Sequence, residues 1–266
     1  MVLRVENLTK RYSETTALSE VSFEIPDGTF AVVLGESGAG KSTLLRILNG
    51  LTEPTSGGVY IDDEEITNSR SDVGMVFQQH NLVEELSAYS NALTGTLNRT
   101  GFLRSLLSRQ PAEEKELALE ALETVGLLDE AGQTVRSMSG GQQQRVGIAR
   151  ALVQQPELLL ADEPVASLDP SSAETVMAYL RETAKTRDLT TLASLHQVNI
   201  AREFGEQFIG LKQGRVVFTG SREELTTDVL EEIYGHIETE ELREEPDPEA
   251  VIETAPEETP GIGAKP

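Results

Sequence analysis

The 266-residue sequence predicts an α/β fold, a mainly parallel sheet with a helical lobe inserted into it. Three observations predict it. Strand-like and helix-like segments alternate at both ends of the chain. A mostly helical stretch interrupts them from about residue 87 to 136. A complete phosphate-binding loop joins a strand to a helix near residue 35.

The segments LRVENLT, VSFEI and TFAVVLG carry β-branched and alternating apolar residues and read as strands. KSTLLRILNGL reads as a helix, with Leu44, Leu45, Leu48 and Leu51 forming one apolar stripe. GGVYID and the strand-like VGMVF follow, and the texture then changes. From Ser87 to Arg136 the pattern is mostly helical, including FLRSLLS and PAEEKELALEALETVGLL, the latter with Pro111 suited to its start. PELLLAD, a helix from about Ser171, LTTLASLH and FIGLKQGRVVFTG restore the alternation. The folded domain is expected over 1–237. Residues 238–266, with five prolines and few large apolar side chains, read as a disordered acidic tail whose deletion should leave any catalytic activity intact.

Composition excludes several classes. With no cysteine, disulfides and cysteine-ligated zinc are out, and His80, His196 and His236 are too scattered for a metal site by spacing. The N-terminal MVLRVENLTK lacks the basic-then-apolar pattern of a secretion signal, and no apolar run is long enough for a membrane span. A cytoplasmic location is therefore expected, with any membrane role supplied by a partner. The formal charge is −23, from 45 acids and 22 bases. The tail holds 10 acids and 2 bases, so 35 acids and 20 bases, or −15, remain on the rest. Nucleic acid is disfavoured as a partner, because phosphate backbones need clustered Lys and Arg. A solvated acidic surface adapted to high salt is the expected reading, and 16 arginines against 6 lysines agree with it.

The stretch GESGAGKST supplies G-x-x-x-x-G-K-[ST] through Gly35, Gly40, Lys41 and Ser42. Glycines let the backbone curl until its N–H groups face phosphate oxygens, and the following helix aims its positive end at the same place. The cradle comprises Gly35, Glu36, Ser37, Gly38, Ala39, Gly40, Lys41, Ser42 and Thr43. Lys41 is expected to reach the β- and γ-phosphates, and the Ser42 hydroxyl to ligate Mg²⁺. ELLLADEP supplies the complement. Its apolar run suits a strand covered on both faces, and it ends in two carboxylates. Asp162 is expected to hold Mg²⁺ and Glu163 to orient and deprotonate water.

SMSGGQQQR, residues 137–145, has the glycines of a phosphate site but no lysine. Ser139 and Gln142 fit a capping box, which leaves Gly140 and Gly141 unexplained, each costing about 1 kcal/mol against alanine inside a helix. Glycines there would admit a phosphate to the helix's positive end. Half a cradle makes sense if it completes the phosphate loop of another subunit.

With these residues the chain resembles an ABC ATPase. MSGGQ resembles the family's signature, with Met138 where leucine is usual, an apolar exchange of similar volume. The resemblance covers residues 1 to about 235 and implies the ABC ATPase form of the P-loop NTPase fold, including an antiparallel β subdomain. It further implies that Tyr12, 23 residues before Gly35, stacks on adenine. Gln78 in VFQQ becomes the residue linking the γ-phosphate site, and its metal, to the helical lobe. Ser167–Pro170 becomes the subunit contact loop and His196 the switch histidine. It implies ATP and Mg²⁺ as ligands, and a second ATPase subunit, most simply an identical copy, facing the first head to tail. Each ATP would lie between one phosphate loop and the other subunit's Ser139, Gly140, Gly141 and Gln142.

FQQHNLVEELSAYSNALTGTL, SLHQVNIAREF and GRVVFTGSREELTTDVLEEIYG resemble the phosphonate-import subfamily. That implies permease subunits in the membrane, docking between Gln78 and the lobe, an extracytoplasmic solute-binding protein, and a peripheral location on the membrane's cytoplasmic face. The alternative is a soluble ABC-type ATPase assisting a phosphonate-degrading or other enzyme complex.

Overall fold

The computed structural model describes residues 1–68, 70–78, 81–97 and 111–235. In chain order the elements begin with β1 (Leu3–Tyr12), β2 (Thr15–Ile25), β3 (Phe30–Leu34) and α1 (Lys41–Leu48). There follow β4 (Ser56–Ile61), β5 (Glu64–Glu65), β6 (Val73–Val76), α2 (Ala88–Leu93), α3 (Ala112–Thr124) and α4 (Gly140–Leu152). The last are β7 (Leu158–Asp162), α5 (Pro170–Thr186), β8 (Thr190–Leu195), α6 (Val198–Phe204), β9 (Gln207–Lys212), β10 (Arg215–Ser221) and α7 (Thr227–Tyr234).

Two sheets form. The first is antiparallel, in the order β2-β1-β4-β5. The second runs β10-β9-β3-β8-β7-β6, parallel throughout except for β10. Period-2 side-chain alternation decides what each face of the parallel sheet covers. Phe30, Val32 and Leu34 pack towards the helices, together with Leu159, Ala161 and residues of α2 to α6. Ala31 and Val33 face the other way, with Leu158, Leu160, α1 and the antiparallel sheet. Burial on both faces explains why PELLLAD is continuously apolar where a surface strand would alternate.

The helical lobe is pinned at its base. Ser87 and Thr134 form an antiparallel bridge, and Val135 N–H donates to Leu86 O at 3.0 Å while Ala88 N–H donates to Gln133 O at 2.9 Å. The chain thus leaves and re-enters the α/β body at one place. Within the lobe, α2 and α3 pack on α4, and Gly95 lies so close to it that a Cβ would meet Arg150 O at 2.3 Å.

Two expectations need correction. Leu51 is 54% exposed and lies beyond α1, because the helix stops at Leu48 and Gly50, at φ +68°, turns the chain. Residues 125–139 are a succession of turns and a short 3-10 segment rather than helix; Gly126, at φ +64°, ends α3 there. Pro111 does stand at the start of α3, as its N-cap, and α5 begins at Pro170 with Asp169 as its N-cap, within a residue of the expected start. The FLRSLLS helix and the acidic tail lie outside the described residues, as do Gln79, His80 and His236. Among the described residues no helix is long and apolar enough to cross a membrane.

Candidate nucleotide site

The ends of three adjacent parallel strands meet at one edge of the sheet. Gly35 follows β3, Asp162 and Glu163 lie at the end of β7, and His196 follows β8. Crevices at the carboxyl ends of such strands are where open α/β sheets bind ligands.

The phosphate loop takes its shape from its glycines. Gly35, Gly38 and Gly40 have φ of +155°, +81° and +109°, values that side chains disfavour. At Gly40 a Cβ would also lie 2.6 Å from Ala17 O, so the loop presses against the start of β2. Gly35 N–H donates to Tyr234 Oη at 3.3 Å, bringing α7 against the loop's first residue. α1 then starts at Lys41, with its N-terminal amides facing the loop.

Lys41 is 4% exposed. Its Nζ donates to Gly35 O at 2.7 Å and Glu36 O at 3.1 Å, and it lies 3.8 Å from Glu163 Oε1. Burial lowers the pKa of the ammonium, opposed by the charges of Glu163 and Asp162. His196 Nε2 hydrogen-bonds Glu163 Oε1 and stands 3.4 Å from Lys41 Nζ.

A second set of bonds organises the acids. Ser42 Oγ donates to Asp162 Oδ1 at 2.9 Å. The Ser194 hydroxyl, on β8, donates to the same oxygen at 3.0 Å and accepts the Glu163 N–H at 2.9 Å. Glu163 itself has φ +48°. Ser42 and Asp162 together offer hard oxygen donors of the kind Mg²⁺ takes.

The structure therefore brings Lys41, Ser42, Asp162, Glu163 and His196 together, and it does not bring every expected residue to them. Tyr12 sits at the β1–β2 hairpin, 46% exposed, with Lys10 Nζ 4.9 Å from its ring centre. Lys10 thus lies over one face of the ring. Gln78 lines a separate cleft with Asn81, Leu82, Glu84, Val135, Gln143 and Ser167, and among the described residues no hydrogen bond joins it to the acids.

Ser139, Gly141 and Gln142 border another cleft with Arg145, Ser171, Ser172 and Thr175, which shares no residue with the phosphate loop. The capping box is present in full: Gln142 N–H donates to Ser139 Oγ and Ser139 N–H to Gln142 Oε1. The two glycines have a further reason to be small. A Cβ on Gly140 would lie 3.3 Å from Leu168 Cδ2, and one on Gly141 3.3 Å from Ser172 Cβ. Close packing against the Ser167–Pro170 loop and α5 thus joins phosphate access as a cause.

Sequence reasoning passed over Ser194 and Tyr234. A serine in an apolar strand carries no local signal, and only the β7–β8 register, which pairs Asp162 with Ser194, brings it to the acids.

Comparison with known proteins shows the family to which the chain is similar. A family model described as ABC transporter matches residues 18–166. The phosphonates import ATP-binding protein PhnC of Halobacterium salinarum is 65% identical over 91% of this chain and 86% of its own length. The protein of the same name from Thiobacillus denitrificans is 49% identical over 87% of this chain and 92% of its own length. Among solved structures, the ATP-binding cassette MJ0796, in a dimeric post-hydrolysis state bound to ADP and Pi, superposes with a TM-score of 0.71 at 36% identity, covering 83% of this chain and 98% of that one. A nucleotide-free cassette from an ABC transporter gives a TM-score of 0.78 at 27% identity, covering 92% and 99%.

Proposed function

The chain belongs to the ABC transporter family of ATP-binding cassettes, and from that premise we propose that it is the ATP-hydrolysing subunit of an importer of phosphonate or a related phosphorus oxyanion. The observation that carries the ATPase reading is the convergence of Lys41, Ser42, Asp162, Glu163 and His196 on one edge of the sheet. The solute reading rests on likeness to import proteins from several organisms, since none of these residues would touch the transported solute.

The roles follow from chemistry. The loop amides and Lys41 hold the triphosphate, and Tyr12 stacks on the base. Ser42 and Asp162 would hold Mg²⁺, which would neutralise charge on the phosphate oxygens, and Gln78, which lines a separate cleft here, would have to move towards them to join. Glu163 orients the attacking water and accepts its proton. His196 keeps the Glu163 carboxylate and the Lys41 ammonium in one constellation. Ser139, Gly140, Gly141 and Gln142 of a second subunit, most simply an identical one, close over the γ-phosphate with the amides of a capped helix terminus. Because ATP is shared, its hydrolysis changes the free energy of the dimer, and that change drives permease subunits in the membrane. The chain then sits peripherally at the cytoplasmic face, fed by an extracytoplasmic solute-binding protein.

The test uses Glu163→Gln, expected to bind ATP but hydrolyse it at least about a hundredfold more slowly. Tagged in its native cells and extracted with detergent, ATP and high salt, it should co-purify with multi-spanning subunits and a solute receptor that binds phosphonate. Recovery of soluble enzymes alone would remove transport and leave an ATPase serving an enzyme complex.

A further inference from the structure

We infer that Ser194 is a positioning residue for hydrolysis: its single hydroxyl fixes both the metal-side carboxylate of Asp162 and the backbone of Glu163. This rests on the roles given above to those two acids.

Three observations carry it. Ser194 is 0% exposed, so no water competes for its hydroxyl. That hydroxyl is used in both directions, donating to Asp162 Oδ1 at 3.0 Å and accepting from Glu163 N–H at 2.9 Å. The residue it holds, Glu163, has a left-handed backbone at φ +48°, which persists in a non-glycine residue only where the surroundings over-determine it.

The Glu163 N–H donates to the Ser194 hydroxyl in a part-buried place, so loss of that hydroxyl takes away its acceptor. Its release would let φ relax and swing the carboxylate away from His196 and Lys41. Asp162 Oδ1, meanwhile, accepts from Ser42 and Ser194 together. A Ser42 oxygen that ligated a cation through a lone pair would still donate its hydrogen, and Ser194 is the second, fully buried donor that fixes the same carboxylate oxygen. One side chain therefore sets the angle between the metal-side acid and the water-side acid. Misplacement of a reacting group by a fraction of an ångström is enough to slow catalysis.

The full-length chain carries the test, as Ser194→Ala, Ser194→Cys and Glu163→Gln. Ser194→Ala should lower kcat about tenfold, the value of one hydrogen bond to a charged group, and leave ATP affinity in EDTA unchanged. In the Glu163→Gln background, where turnover is suppressed, it should also weaken retention of Mn²⁺ with ATP, read by electron paramagnetic resonance. Ser194→Cys keeps the shape with a weak donor and should fall between wild type and alanine. It also reads the question if the alanine variant fails to fold. An unfolding midpoint that drops while kcat and Mn²⁺ retention hold at wild-type values would make Ser194 a packing residue and overturn the inference. If Glu163→Gln itself hydrolyses ATP at the wild-type rate, the reading of the acids falls and Ser194 with it. If Glu163→Gln is inactive and Ser194→Cys and Ser194→Ala match wild type, only the Ser194 inference falls.

Discussion

Lys41 holds its place at a cost that a ligand would reverse. Burial pushes its pKa below the usual lysine value near 10.4, so at alkaline pH the nucleotide-free chain carries fewer protons there than an exposed lysine would. A triphosphate beside Nζ favours the charged form. ATP binding should therefore take up protons in the window between the lowered value and about 10.4. Titration calorimetry in buffers of different ionisation heat should show that uptake at alkaline pH. Equal heats in all alkaline buffers would mean the ammonium is unperturbed. The residues of this cluster were legible to different degrees for a physical reason. Phosphate binding needs backbone amides within a few consecutive residues, so Gly35 to Ser42 announce themselves locally. Glu163 and Asp162 needed only the end of an apolar run. Ser194 acts through a partner 32 positions away in the chain, and the bond exists only once β7 and β8 pair.

At the scale of elements, α4 carries two demands on Ser139, capping and proposed phosphate contact. They can be separated. Aspartate caps helices about as well as serine, whereas alanine costs about 1 kcal/mol. Ser139→Asp should therefore keep the unfolding midpoint within about 2 °C, since surface changes that keep the cap cost little. The added carboxylate should nonetheless repel a γ-phosphate brought by a second subunit and abolish ATP-dependent association. Ser139→Asp that associates normally with ATP would leave the segment a cap only. The capping box was readable from Ser139 and Gln142, because both partners lie within one turn. The ends of other elements were not. Leu51 fits the α1 stripe by spacing, yet Gly50 turns the chain first, and periodicity does not report where a helix stops. Residues 125–139 are apolar at near-helical spacing because turns at the lobe's base bury Val125, Leu127, Val135 and Met138 without helical geometry.

A formal charge of −23 repels itself through a Debye length of about 10 Å at 0.1 M salt and about 3 Å at 1 M. Raising KCl from 0.1 to about 2 M should relieve roughly 2–3 kcal/mol and lift the unfolding midpoint by about 5–10 °C. A midpoint indifferent to salt would remove the halophilic reading of the surface. The architecture itself was legible because strand alternation, the phosphate loop and the helical interruption are each long-range patterns. The pairing of β3 between β8 and β9 was not, since no local residue encodes a neighbour more than 150 positions away.

The shared site proposed above is two different halves carried by one chain and completed only across a dimer. Its most direct measurement is the molar mass of Glu163→Gln by light scattering, with and without ATP. A dimer that forms with ATP, disperses with ADP and is lost in the Ser139→Asp double variant is the predicted result. A mass unchanged by ATP, in a protein that demonstrably binds it, would contradict the shared site.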